Sequence, residues 1–157
     1  MTHPVHVDAP AGVPFIDITR EFDAPVSRLF AAHADPALVA RWMGPDGLGT
    51  DVTEWDFVSG GRWSFQQTEP DGETYAFRGT FHTVRTDELA IQTFEFLGFP
   101  DVVSIETLRF VDLGDGRTRL EIHSVYPTVE ARDGMVASDM ERGLTEGYAR
   151  LDAIVAA

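Results

Sequence analysis

Hydrophobic residues recur at every second position through most of this chain, and at every third or fourth position near its end. From Phe15 to Phe22 (FIDITREF), Ile16, Ile18 and Phe22 share one side, with Asp17, Thr19 and Glu21 opposite. That alternation predicts a half-buried strand. Asp23 to Pro25 ends it and opens a helix, with Pro placed early. Val26, Leu29, Phe30 and His33 then follow at helical spacing, and Asp35-Pro36 starts a second short helix that runs through Trp42 and stops at Gly44-Pro45. Six further strands are predicted: Thr50–Phe57, Arg62–Thr68, Thr74–Arg85, Glu88–Leu97, Val102–Asp112 and Arg117–Tyr126. Turn residues separate them, most clearly EPDG at Glu69–Gly72 and GDG at Gly114–Gly116. Thr128–Ala157 reads as one long helix whose stripe is Val136, Met140, Leu144, Tyr148, Leu151 and Val155. Arg142, Glu146 and Arg150 alternate in charge at spacing four on its outer side. Gly143 and Gly147 lie inside it, fitting either close packing on the sheet or room left for a ligand.

This order predicts an α+β domain: a curved antiparallel sheet of seven strands, two short helices after the first strand, and the last helix laid across the sheet. The chain of 157 residues fits one domain, taken as residues 15–157 after a loose Pro-, Gly- and Ala-rich tail over residues 1–14.

Following the turns around the sheet gives an inner face. Phe65 falls beside Phe77, Gln67 beside Tyr75, Phe81 beside Ile91 and Phe77 beside Glu95. Glu95 then meets Ser104, Thr93 meets Glu106, Ile91 meets Leu108, and Glu106 faces His123. With Trp63, these residues make an apolar face interrupted by Gln67, Tyr75, Thr93, Glu95, Ser104, Glu106 and His123. Met140, Leu144 and Tyr148 would cover it from the helix. A carboxylate among aromatic rings is costly unless bonded or paired. Two readings fit the cluster. One is a pocket with convergent polar groups, in which Glu106, His123 and Glu95 are candidates for acid–base work and Tyr75 orients a substrate oxygen. The other is a wet sheet end, or a one-residue slip that turns these groups outward.

Composition narrows the chemistry. The net charge of −14 disfavours nucleic acid and anionic membrane surfaces as partners. All 12 basic residues are Arg, and Lys, Asn and Cys are absent. Disulfides, thiolate chemistry and Schiff bases are thereby excluded. No metal-ligand spacing, nucleophile elbow, phosphate loop or dinucleotide fingerprint occurs, so no metal or cofactor is expected. The start of the chain lacks a signal-like pattern and no apolar run reaches membrane length, which gives an expectation of a cytoplasmic protein.

Four stretches carry a family resemblance: REFDAPVSRLFAAHADPALVARWMGP (Arg20–Pro45), SGGRWSF (Ser59–Phe65), FRGTFHTV with DELAIQTFEF (Phe77–Phe96), and GMVASDMERGLTEGYARLDAIV (Gly134–Val155). The chain resembles the START-like (SRPBCC) superfamily, and within it the family related to the activator of the 90-kDa heat-shock protein ATPase. The resemblance implies a helix-grip, Bet v 1-like fold with a cavity between sheet and terminal helix, where many members take apolar or aromatic molecules. It transfers no catalytic residues. Three expectations follow: a binding protein for a hydrophobic or aromatic small molecule, an enzyme of polyketide aromatase/cyclase or hydratase type in the same cavity, or a co-chaperone or regulatory module acting through its surface. Monomer and homodimer both remain open, since an exposed edge strand invites pairing.

Overall fold

A computed structural model describes residues 3–156. Eight strands form one antiparallel sheet: β1 (His6–Asp8), β2 (Phe15–Phe22), β3 (Gly49–Trp55), β4 (Arg62–Thr68), β5 (Thr74–Arg85), β6 (Leu89–Phe96), β7 (Val103–Gly114) and β8 (Arg117–Val125). Their spatial order is β1-β2-β8-β7-β6-β5-β4-β3. Helices α1 (Val26–Ala34) and α2 (Pro36–Trp42) follow β2, while α3 (Val129–Ala137) and α4 (Met140–Val155) close the chain. Among the described residues, no helix is long and apolar enough to cross a membrane.

The expected α+β layout is present, with three differences. The eighth strand comes from the segment read as a loose tail: His6–Asp8 pairs with Thr19–Asp17. Buried Arg132 secures the stretch that follows, donating from Nη1 to the carbonyls of Pro10 (2.7 Å) and Phe15 (3.4 Å).

The single terminal helix is instead two. Ser138 closes α3 and Asp139 turns left-handed at φ 64°. Asp tolerates that conformation better than most residues, because its short polar side chain can bond locally. The turn shifts the helical phase. Val136, expected on the inner stripe, is therefore 42% exposed, whereas Tyr148, Leu151 and Val155 are buried. The expected Glu146–Arg150 pair is also replaced. Glu146 accepts from the Asp46 amide at 2.9 Å, and Arg150 bonds Asp46 and the Gly44 carbonyl. The loop after α2 is thus tied down onto α4.

The third difference is register. Phe65 pairs Phe77 and Gln67 pairs Tyr75, as expected. A bulge between Phe81 and Thr83 then adds a residue to β5, so Phe81 meets Gln92 and Phe77 meets Phe96. On the far side of β6, Gln92 pairs Glu106, Phe94 pairs Ser104 and Ala90 pairs Leu108. A second bulge between Asp112 and Gly114 places Ser124, rather than His123, opposite Glu106. An extra residue exchanges the faces of a strand from that point onward.

The core lies where β2, β7 and β8 meet α1 and α4. Ile16, Phe22, Leu29, Leu120 and Leu151 are fully buried there. Asp35 accepts from the Ala37 amide at 2.9 Å and caps α2. Trp42 Nε1 donates to the Ala32 carbonyl at 3.0 Å, fixing α2 against α1. Asp152 receives both ends of the buried Arg20 guanidinium at 2.5 and 2.7 Å, which joins α4 to β2.

Candidate functional site

Between the concave side of the sheet and α4 lies a cavity of about 270 Å³. It falls just below the range of about 300–1,000 Å³ typical of small-molecule sites. Its walls include nine residues expected on the inner face or the helix: Trp63, Phe65, Gln67, Phe77, Glu106, Leu108, Met140, Leu144 and Tyr148.

The other expected site residues sit elsewhere. Ile91, Thr93, Glu95 and His123 belong to the outer face, a correction caused by the shifted registers of β5–β6, β6–β7 and β7–β8. Glu95 Oε1 accepts from Arg78 Nε at 2.9 Å and Oε2 from the Asp101 amide at 2.8 Å. Those bonds, the amide first, hold its carboxyl below the usual carboxylate range. Glu95 therefore anchors the β6–β7 loop. His123 is exposed, bonded to Asp17 at 2.6 Å and tilted against the Phe15 ring at 5.1 Å. Neither group can serve as an acid or base in the cavity. Tyr75 lies outside the wall and donates its hydroxyl to Glu69 at 3.2 Å. Phe81 and Ser104 point inward but are buried behind the wall, Phe81 against Trp55 and Phe57.

Glu106 supplies the cavity wall with a carboxyl group. It stands mid-row across three strands, between Gln92 on β6 and Ser124 on β8. Gln92 Nε2 donates to Oε1 at 3.0 Å and Ser124 Oγ donates to Oε2 at 3.4 Å. Burial pushes the Glu106 carboxyl above its ordinary value, and these two bonds offset part of that rise. Tyr126 and Tyr148 also border the cavity. Their hydroxyls are held protonated, first by burial and then by the nearby Glu106 charge.

Several wall residues were not foreseen. His33 is buried, donates from Nδ1 to the Leu29 carbonyl at 2.8 Å, and packs against Trp42 and Phe110. Because that partner is a carbonyl, Nδ1 carries the proton and donates. Burial lowers its pKa to about 4, so the ring is neutral at pH 7. His33 looked like one apolar-face position of α1, and nothing local linked it to the sheet. Gln92, Phe94 and Ser124 were missed through register alone. Trp42, Trp55 and Trp63 all line the cavity, and they are the only 3 tryptophans in the chain.

The glycines shape this space. A Cβ on Gly79 would fall 2.0 Å from the Thr93 carbonyl oxygen and 2.5 Å from Trp63 Nε1, so glycine lets the indole lie flat over β5. In α4, a Cβ on Gly147 would stand 2.8 Å from the Trp42 carbonyl oxygen, which is close helix packing. At Gly143 only Pro45 Cδ lies near, at 3.8 Å, and the residue borders the cavity. The close packing at Gly147 is thus against α2 and Gly44 rather than on the sheet.

Outside the cavity wall, Glu69, Asp71 and Glu73 bring carboxylate oxygens within 4.8 Å of one another at the β4–β5 turn. Asp71 and Glu73 are exposed, and Asp71 Oδ1 accepts from the Glu73 amide at 2.9 Å, so the group is explained as a solvated hairpin.

A curved antiparallel sheet closed by a terminal helix over an internal cavity defines a helix-grip domain of START-like type. More narrowly, residues 23–156 match the family described as Activator of Hsp90 ATPase homolog 1-like protein, and the chain belongs to that family. Solved structures agree along its whole length. A protein from Rhodobacter sphaeroides is 25% identical with a TM-score of 0.88, covering 98% of each chain. Protein Ms6760 from Mycobacterium smegmatis is 28% identical with a TM-score of 0.86, covering 97% of each. A protein from Arthrobacter aurescens is 27% identical with a TM-score of 0.86, covering 96% of this chain and 91% of that one. No curated protein matches the chain.

Proposed function

We propose that this protein binds a hydrophobic or aromatic small molecule in the cavity between the sheet and α4. The observation that carries this is the cavity itself. It is walled mainly by aromatic and aliphatic side chains, and one bonded polar row, Gln92–Glu106–Ser124, is set into it. An apolar wall supplies the driving force, and a few placed polar groups fix orientation.

The test is a thermal-shift screen over neutral, cationic and anionic aromatic compounds, run in parallel on a Gly143→Leu variant. Gly143 borders the cavity, and a Cβ there meets only Pro45 Cδ at 3.8 Å, so leucine at this position is expected to take up part of that space. A ligand at 100 times its dissociation constant adds about 2.7 kcal/mol, or roughly 5–10 °C in a domain of this size. Hits on the parent chain that vanish in the folded variant support the reading. Hits that persist place binding elsewhere and sink it.

An enzymatic role in the same cavity, of cyclase or hydratase type, has one observation in its favour: Glu106 is an inward carboxyl with a raised pKa, suited to a general acid. Its proposed partner His123 is on the opposite face of the sheet, so this second reading now rests on Glu106 with Tyr126 or Tyr148. Loss of turnover in Glu106→Gln, with ligand affinity kept, would favour it over simple binding.

A further inference from the structure

Among the described residues that line the cavity, Glu106 is the only acid, and neither Arg nor Lys is present. The remaining titratable groups there, His33, Tyr126 and Tyr148, are uncharged at neutral pH. No described ion pair includes Glu106; its partners are two neutral donors. A carboxylate in such a site has its hydrogen bonds but lacks a counter-charge.

The surrounding surface is rich in π faces. Trp42, Trp63, Phe65, Phe77, Phe94 and Tyr148 all border the space, and aromatic faces attract cations once water is excluded. The chain as a whole carries a net charge of −14, which concentrates cations near any opening and repels anions. A carboxylate ligand would meet Glu106 with no cation to receive it. A neutral ligand would give the Glu106 charge no partner and would favour the protonated carboxyl that burial already promotes. A protonated amine on a ring system satisfies the wall and the carboxylate together.

We infer that the cavity selects an aromatic amine, with its ammonium group at Glu106 and its rings against the tryptophan and phenylalanine wall. This rests on the reading of the cavity as a ligand site and adds the charge and chemical class of the ligand.

The experiment uses three probes that share one ring system: 1-naphthylmethylamine, 1-naphthylmethanol and 1-naphthoic acid. Each is titrated calorimetrically into the full chain at neutral pH, then into Glu106→Gln and Gly143→Leu. The amine is expected to bind at least about tenfold tighter than the alcohol, with the acid weakest. In Glu106→Gln that preference should collapse to within about threefold, while the alcohol retains its affinity. The ranking on the unaltered chain needs no variant, so a folding defect cannot hide the answer. If the alcohol binds and is lost in Gly143→Leu, but the amine gains nothing over it, the amine inference falls and the cavity reading stands. An amine preference that survives Glu106→Gln also overturns the inference. If no probe binds, or binding persists in Gly143→Leu, both readings fall.

Discussion

His33 offers a direct check on how this domain is assembled. Its ring is buried, wedged against Trp42 at 5.0 Å and Phe110 at 5.1 Å, with Nδ1 bonded to the Leu29 carbonyl at 2.8 Å. Burial lowers its pKa from 6.5 to about 4. Between those values the unfolded chain binds a proton that the folded chain refuses. Stability from this residue is therefore complete above pH 6.5 and is lost as pH falls toward 4. The full loss amounts to about 3 kcal/mol, most of which is gone near pH 4.5. His33→Phe keeps an aromatic ring in the gap and leaves the Leu29 carbonyl its helical partner. Urea unfolding of both proteins at neutral pH and near pH 4.5 isolates the residue, because all other titrations are shared. The parent chain should lose roughly 2–3 kcal/mol more than the variant over that interval. Equal losses would refute the burial of a neutral imidazole, and with it the packing of α1 against both α2 and β7.

Other substitutions test neighbouring claims. Glu106 has the opposite sign to His33: its raised pKa gives stability that is present at low pH and lost as pH rises through its titration. Glu106→Gln should therefore flatten the decline in melting temperature between acid and neutral pH, and an unchanged profile would place the carboxyl in solvent. The two helix glycines should respond oppositely. Gly143→Ala meets only Pro45 Cδ at 3.8 Å and should raise stability by about 0.5–1 kcal/mol through helix propensity. Gly147→Ala forces a carbon to 2.8 Å from the Trp42 carbonyl and should lower stability by about 1–3 kcal/mol in chemical denaturation. Gly79→Ala pushes against the Thr93 carbonyl and the Trp63 indole, and its loss should be at least as large as that of Gly147→Ala.

The layout was legible because it depends on periodicity and turn chemistry. EPDG at Glu69–Gly72 sets a hairpin without a bulge, and the pairs it implied, Phe65 with Phe77 and Gln67 with Tyr75, are those observed. The face of β6 was not legible. The bulge at Phe81/Thr83 carries no glycine or proline in FHT, so the sequence offers no local sign of the extra residue. At Asp112/Gly114 the extra residue coincides with the turn glycine Gly114, at φ 81°, and a glycine beside a turn signals the turn without separately signalling a bulge. These shifts moved His123 and Glu95 outward and brought Gln92 and Ser124 in. Glu106 kept its face, since each misaligned neighbour was shifted relative to it. The break in the last helix did have a signature, Ser138-Asp139, a pair that favours helix ends over helix interiors. His33 and Trp42 reach the cavity only through packing of α1 and α2 on the sheet, which no local pattern encodes.

The most direct test of the cavity as a binding site uses the three tryptophan indole N–H signals in a nitrogen–proton correlation spectrum, because Trp42, Trp55 and Trp63 all line it. Titration with 1-naphthylmethanol should move these three resonances together, saturably, and with one dissociation constant, and the movement should disappear in Gly143→Leu. Stationary indole signals, with shifts confined to outer-face amides such as those of Ile105 and Val125, would contradict the account.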